Sequence, residues 1–388
     1  MDKKTLNSQA IILLTAYFNK GDKPLTVTEY SNFAQWLISQ QKTPEDLLSD
    51  RREEIVSTYK DKKVTKERLC TLLDRGNAMA ITMQKWQNAG IWVITRADKE
   101  YPQKLKQDLK HKAPPILYGA GEKKILRTKG IAIIGSRNVS EDDLKFTFAL
   151  GKKLAYSGYS VVSGGARGVD EASMMGSINA GGTTIGVVAD SLMQKVLSRK
   201  YRDALIQGNL VLISPYYPEA RFNVGNAMGR NKYIYTLAYT SIVIHSGLSG
   251  GTWEGAKENL KYGWVPLFVK NSHDVESGNI RLLEMGGEPL SETVLQDENI
   301  EYLFEVKKKI DSINTIKSDD DTAQSIEERI LELLSKERLS IKAVTEKLQA
   351  DEKSVKKIIE KMLKHGALQK HNNRPLQFSK VMKLPSFD

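Results

Sequence analysis

Ile131-Ala-Ile-Ile-Gly-Ser-Arg137 and Ser160-Val-Val-Ser-Gly-Gly-Ala-Arg-Gly168 share one pattern, a short apolar run that breaks into small residues and an arginine. The runs are too short for helices and rich in β-branched residues, so each reads as a buried strand. The stretch between them, 141–157, has helical length and polarity. Outward from this pair the alternation continues through Thr184-Ile-Gly-Val-Val188, Leu210-Val-Leu-Ile213, Ser241-Ile-Val-Ile244 and Val265-Pro-Leu-Phe-Val269, with helical gaps at 170–180 and 252–262. Strands that alternate with helices imply crossovers, and crossovers imply a mostly parallel sheet covered on both faces. The fold class is therefore α/β and Rossmann-like.

In such a sheet, ligands bind beyond the carboxyl ends of the strands, at the point where strand order reverses. Three small-residue loops follow strands here. They are Gly135-Ser136-Arg137, then Ser163-Gly164-Gly165-Ala166-Arg167-Gly168, then Ser246-Gly247-Leu248-Ser249-Gly250-Gly251-Thr252. Glycines let a backbone approach a ligand, N–H groups at a helix start favour anions, and arginine adds bidentate phosphate donors. A phosphate-bearing ligand is expected at this edge. No loop has the Gly-x-x-x-x-Gly-Lys-Ser/Thr pattern of nucleotide hydrolases, and the first turn carries Arg137 where a dinucleotide pyrophosphate requires glycine. Between the fourth and fifth strands lies a cluster of rings and cations: Tyr216, Tyr217, Arg221, Phe222, then Arg230-Asn231-Lys232-Tyr233 and Tyr235. Arg230, Asn231 and Lys232 are expected at a helix start. Interleaved rings and cations suit single-stranded nucleic acid, whose bases stack while its phosphates meet Arg and Lys.

The remainder of the 388 residues divides around this centre. Residues 1–97 show helical spacing (Leu13, Leu14, Tyr17, Phe18; Tyr30, Phe33, Trp36, Leu37; Leu69, Leu72, Leu73), with N-caps expected at Thr26, Thr43, Ser49 and Thr65. Thr26 and Glu29 form a capping box. Residues 98–311 hold the sheet. Residues 312–324, with Asp319-Asp-Asp321, read as a linker. Residues 325–388 have the layout of a winged-helix module: stripes at Ile330/Leu333/Leu334, Ile341/Val344/Leu348 and Val355/Ile358/Ile359/Met362, then a hairpin about Asn372–Pro375. The lysines of its third helix, Lys353, Lys356, Lys357, Lys361 and Lys364, serve either a duplex groove or a solvated face.

Lys plus Arg number 58 against 47 Asp plus Glu, a net charge of +11, which makes a polyanion a fair partner. Apolar residues at 40% and charged residues at 27% exclude a wholly disordered chain. One cysteine, Cys70, excludes an intramolecular disulfide or a cysteine metal cluster, and five scattered histidines show no metal spacing. No run approaches the 18 or so apolar residues of a membrane span. The chain is expected to be cytoplasmic, without cofactor or metal.

In their order and spacing these motifs resemble the DprA/Smf family of DNA-processing proteins. Tyr101-Pro102 and Pro114-Pro-Ile-Leu-Tyr-Gly119 are similar to the family's lead-in to the sheet, Gly135-Ser-Arg137 to its first loop, and Ser163-Gly-Gly-Ala-Arg-Gly-Val-Asp170 to its Ser-Gly-x-Ala-x-Gly-Ile-Asp loop. Arg230-Asn-Lys232 stands where the family has Arg-Asn-Arg, and Ser246-Gly247 resembles the start of its Ser-Gly-Ser loop. The resemblance implies a Rossmann-like domain that binds single-stranded DNA through Arg137, Arg167 and Arg230–Lys232, a homodimer, delivery of DNA to a RecA-type recombinase, and no catalysis. The chain departs from the family at His245 and at Asp190-Ser-Leu192. Its Ser249-Gly-Gly-Thr-Trp-Glu254 is closer to the Gly-Gly-x-Gly-Thr-x-x-Glu loop of LOG-type nucleotide phosphoribohydrolases. A nucleotide-binding sensor or hydrolase, for instance in defence against phage, is therefore the alternative reading, with Glu254 as acid or base and Arg137 as phosphate clamp.

Overall fold

The computed structural model describes residues 3–19, 21–272, 277–290, 292–305, 326–348, 352–364, 368–371 and 376–380. It forms two compact units, Met1–Lys307 and Lys308–Asp388. The linker expected at 312–324 and the turn at Asn372–Pro375 lie outside the described residues.

The first unit is built on a sheet. Its strands are β1 (Ile91–Thr95), β2 (Ile116–Gly121), β3 (Gly130–Ile134), β4 (Ser160–Ser163), β5 (Thr184–Val187), β6 (Leu210–Ser214), β7 (Thr240–Val243), β8 (Leu267–Lys270) and β9 (Glu288–Leu290). Their spatial order is β1-β2-β6-β5-β4-β3-β7-β8-β9. From β6 to β9 every neighbouring pair is parallel. The alternating pattern therefore gives the parallel α/β sheet it predicts, and β3 lies at the reversal of order, between β4 and β7. The central strands β3 to β7 are buried along their whole length, as expected of strands covered on both faces.

The helices in chain order are α1 (Lys3–Thr15), α2 (Val27–Ser39), α3 (Arg52–Thr58), α4 (Lys66–Leu73), α5 (Gly76–Asn88), α6 (Gln103–Leu109), α7 (Glu141–Tyr156), α8 (Val169–Asn179), α9 (Leu192–Leu197), α10 (Arg199–Ile206), α11 (Val224–Leu237), α12 (Gly251–Tyr262) and α13 (Gly278–Glu284). The Thr26–Glu29 capping box is present, and Thr65 accepts from the Arg68 N–H. Ser49 is not an N-cap: its hydroxyl donates back to the Asp46 carbonyl, and α3 begins at Arg52.

Helical spacing ends earlier than 95. Ile91-Trp-Val-Ile-Thr95 is a strand that pairs antiparallel with β2, which in turn pairs antiparallel with β6. Gly90 makes the reversal out of α5 at φ +75°, a conformation that a side chain would strain. This pair ties the N-terminal helices to the sheet. Trp86 of α5 is fully buried, edge-on to Tyr118 of β2 with ring centroids 5.0 Å apart, and one core runs from Leu14 and Phe33 through Trp86 to Ile131.

α7 and α8 cross at backbone contact distance. A Cβ on Gly176 would stand 2.2 Å from the Phe148 carbonyl oxygen, and one on Gly151 would stand 2.3 Å from that of Ser173. This contact fixes α8, whose first residues carry the β4 loop.

The second unit contains α14 (Ile326–Lys336), α15 (Ile341–Leu348), α16 (Glu352–Lys364) and an antiparallel pair, β10 (Leu368–His371) with β11 (Gln377–Lys380). Ile330, Leu334, Val344, Val355, Ile359, Leu368 and Phe378 form its core, and Leu339 bridges to Phe378. Of the α16 lysines, Lys356 is exposed; the side chains of Lys353, Lys357, Lys361 and Lys364 lie outside the description.

Gly176→Ala is expected to lower the unfolding free energy by about 1–3 kcal/mol, the usual cost of overpacking against backbone that cannot yield. A fall in the urea midpoint at unchanged slope would register it.

A candidate nucleic-acid interface

The loops after β3 and β7 diverge where strand order reverses, and the loop after β4 lies beside them. Together with the start of α11 they enclose two adjoining cavities of about 530 and 410 Å³ that share Arg137, Ala166, Phe222, Ala227 and Arg230. The first lobe adds Gly164, Gly165, Arg167 and, from the α9–α10 segment, Asp190, Lys195, Lys200 and Tyr201. The second adds Gly135, Ser136, Asn231, Gly247, Gly250, Gly251 and Thr252.

The loops are held rigidly behind this surface. Ser163 and Ser246, both expected at the ligand, are fully buried and line neither lobe. The Ser163 hydroxyl donates to the Ile133 carbonyl, and the Ser246 N–H donates to the Asn279 side chain at 2.7 Å. They fasten loops to neighbours. Gly168 has φ +90°, and a Cβ there would stand 2.7 Å from the Ser136 and Arg137 carbonyl oxygens. Glycine is required at that position to let two loops meet, and it supports Arg137 from behind.

Arg230 forms the common floor. It is 6% exposed and stands 4.0 Å from the Asp170 carboxylate, which is equally buried. Burial works against both charges: it pushes the Asp170 carboxyl up and the guanidinium down, and each partner's charge offsets part of that. The guanidinium stays protonated at any ordinary pH. Its Nε and Nη1, and Oδ1 of Asp170, have no hydrogen-bond partner. A Cβ on Gly164 would overlap the guanidinium at 1.6 Å, so the β4 loop and Arg230 fit only with glycine there. Contrary to the expected helix start, Arg230 lies well inside α11, which begins at Val224 with Asn223 as its side-chain cap. Asn223 to Gly229 form that cap and the first turns of the helix.

Lys232 does not join the site. It sits one residue beyond Asn231, on another side of α11, with its ammonium 5.1 Å from the Tyr233 ring. Asn231 does belong, donating to the Gly251 carbonyl at 2.8 Å and so bracing the start of α12. Gly250 caps α12 at φ +94°, and because Gly250, Gly251 and Thr252 line the second lobe, the helix opens on it with its unpaired first-turn N–H groups.

Five cations line the lobes against three carboxylates. Lys200 pairs with Glu171, Lys195 with Asp190 at 3.5 Å, and Arg230 faces Asp170. Arg137 and Arg167 are left without a carboxylate partner among the described residues. Arg167 donates to Asn138 at 2.8 Å, and Arg137 lies 5.4 Å over the ring of Phe222, itself 54% exposed. An exposed ring and two unneutralised guanidiniums beside a helix N-terminus suit a base and phosphates. Glu254, the candidate acid or base, is exposed, pairs with Lys257 at 3.2 Å and lines neither lobe. Sequence reasoning missed the contribution of Asp170, Tyr201 and the α9–α10 lysines; of these, only Asp170 carried a signal, an acid directly after a Gly-rich loop. Among the described residues no cluster of His, Cys, Asp and Glu could hold a metal ion, and no helix is long and apolar enough to cross a membrane.

Comparison with known proteins matches residues 92–298 to the family model described as DNA recombination-mediator protein A. The DNA processing protein DprA of Bacillus subtilis is 28% identical over 228 residues, covering 56% of this chain and 75% of that one. The X-ray structure of DprA from Streptococcus pneumoniae overlays 71% of this chain and 99% of its own at a TM-score of 0.52 and 20% identity, a likeness of fold. DNA processing protein A of Helicobacter pylori, whose structure is described for its single-stranded DNA binding mode, covers 57% of this chain and 96% of its own, at 27% identity and a TM-score of 0.46.

Asp170→Asn removes the countercharge from a buried guanidinium and is expected to destabilise the protein by about 3–5 kcal/mol. Chemical denaturation of the double variant Asp170→Leu/Arg230→Met should show part of that loss restored, because no buried charge is then left unpaired.

Proposed function

The chain belongs to the DNA recombination-mediator protein A (DprA/Smf) family, and from that premise we propose that it binds single-stranded DNA in the switch-point crevice as a non-catalytic DNA-processing protein of recombination and DNA uptake. The observation that carries this reading is the Arg137–Phe222 pair between the two lobes. A base stacks on the exposed ring while the flanking phosphates take Arg137, Arg167 and the first-turn N–H groups of α12. Gly135, Gly164, Gly165, Gly247, Gly250 and Gly251, with Ser136 and Thr252 beside them, line the lobes and let the strand's backbone approach closely, while Gly168 lets the first two loops meet behind Arg137. Arg230 and Asn231 hold the floor.

Binding without hydrolysis follows from where the carboxylates lie. Those of the crevice, Asp170, Glu171 and Asp190, each face a cation, and Glu254 is outside it. The same proposal divides the chain into an N-terminal helical region (1–97) whose last strand, β1, joins the sheet, the DNA-binding region (98–311), a linker and a winged-helix module (325–388). The helix–helix–helix–hairpin order of the second unit supports the last of these. It also includes a homodimer, cytoplasmic location and delivery of the bound strand to a RecA-type recombinase, as expected of this family.

Arg137→Ala and Arg167→Ala are each expected to weaken binding of a fluorescent oligonucleotide by roughly 10-fold, about the 1.4 kcal/mol of one charge-assisted contact. Both side chains are exposed, so thermal unfolding should be unchanged. Wild-type affinity in both variants would remove the crevice as the DNA site.

A further inference from the structure

Lys232 leads to a surface that the crevice does not use. Its stem is half-buried in α11 and its ammonium lies over Tyr233. Burial lowers its proton affinity, Lys112 lowers it further, and Glu258 opposes both. Lys112, at the end of the short turn after α6, lies 4.9 Å over the ring of Tyr262, and Lys261 lies 5.5 Å from the same ring. Among the described residues none of these three lysines has a carboxylate within ion-pair distance. Tyr262 is 47% exposed and stacks on Trp264 at 5.3 Å and 23°. Three lysines gathered on rings, with one nearby glutamate, form a positive patch that the protein leaves unneutralised.

The patch connects to the crevice through one helix. α12 starts at Gly251 and Thr252, which line the second lobe, and ends at Tyr262. Trp253, Lys257 and Lys261 succeed one another four residues apart, so they lie in a row along one face of the helix. Lys257 lies 5.4 Å over the Trp253 ring, held also by Glu254. The row spans roughly 12 Å at about 1.5 Å per residue, and Tyr262 follows directly at its end. Rings at Trp253 and Tyr262 thus stand toward the two ends of the helix, with Lys257 and Lys261 between them.

We propose that this face of α12, with Lys112 and Lys232, is a second contact for single-stranded nucleic acid, which carries the strand onward after it leaves the crevice. The proposal rests on the reading of the crevice as the DNA site. Phosphates draw the lysines off the rings they cover, and bases take the vacated ring faces of Trp253 and Tyr262. A strand is favoured over a folded acidic protein because the row is narrow, linear and continuous with a phosphate site.

The test compares labelled oligothymidylates of about 6 and about 20 nucleotides, the short one long enough for the crevice alone. Lys112→Ala/Lys261→Ala should weaken the longer strand about 10-fold, flatten its log K against log salt slope by about 1.4 for two lost phosphates, and leave the short strand unchanged. Tyr262→Leu should weaken the longer strand at unchanged slope. Wild-type affinity for the longer strand in the double variant, or an equal loss at both lengths, would overturn the proposal. Failure of the crevice reading shows separately, as short-strand binding that is indifferent to Arg137→Ala.

Discussion

A guanidinium and a carboxylate buried side by side, Arg230 of α11 and Asp170 of α8, hold the functional edge of this protein together. Neither charge would remain in so dry a place alone, and their pairing joins the helix that follows β4 to the helix that precedes β7. The β4 loop fits over the pair only because residue 164 has no side chain. Through Asn231 the same helix braces the start of α12. Two lobes, one floor and a helix N-terminus all follow from fixing α11 against α8. The unsatisfied donors of Arg230 are the cost of that geometry, and the residue that carries them lines both lobes.

Above this floor the two exposed arginines are free to act. The lysines of α9–α10 are already answered by Glu171 and Asp190, which tempers the positive field of the first lobe. The unneutralised charge is therefore concentrated near Phe222, where a ring is also exposed. On the proposed function, cation and ring together would select a strand whose bases are unpaired, since a duplex keeps its base faces stacked inside.

The central sheet was legible in the sequence because β3 to β7 are buried on both faces and so appear as unbroken apolar runs between polar helices. Ile91–Thr95 was not: it follows a helix directly and sits at the sheet edge, so half-buried Trp92 and Val93 blur its pattern into the helical spacing before it. The three Gly-rich loops pointed to the edge where the two lobes open, yet residue type alone could not separate the serines that tie loops down from the groups that face the cavity. Arg230 and Lys232 show the same limit. They look alike in the sequence, but the helix begins earlier than expected, and two residues of helical rotation send one into the crevice and the other away from it. Asp170 stands out in the sequence only as the end of a Gly-rich motif, whereas its purpose depends on Arg230, a partner far along the chain.

The most direct measurement is anisotropy of a short labelled single strand and of the matching duplex, each titrated at about 50 and 200 mM salt. With about four phosphates engaged, the single-strand slope in log K against log salt should be near −2.8, roughly a 50-fold loss across that range, and the duplex should bind far more weakly. Equal binding of strand and duplex with a slope near zero would contradict the crevice as a single-stranded DNA site.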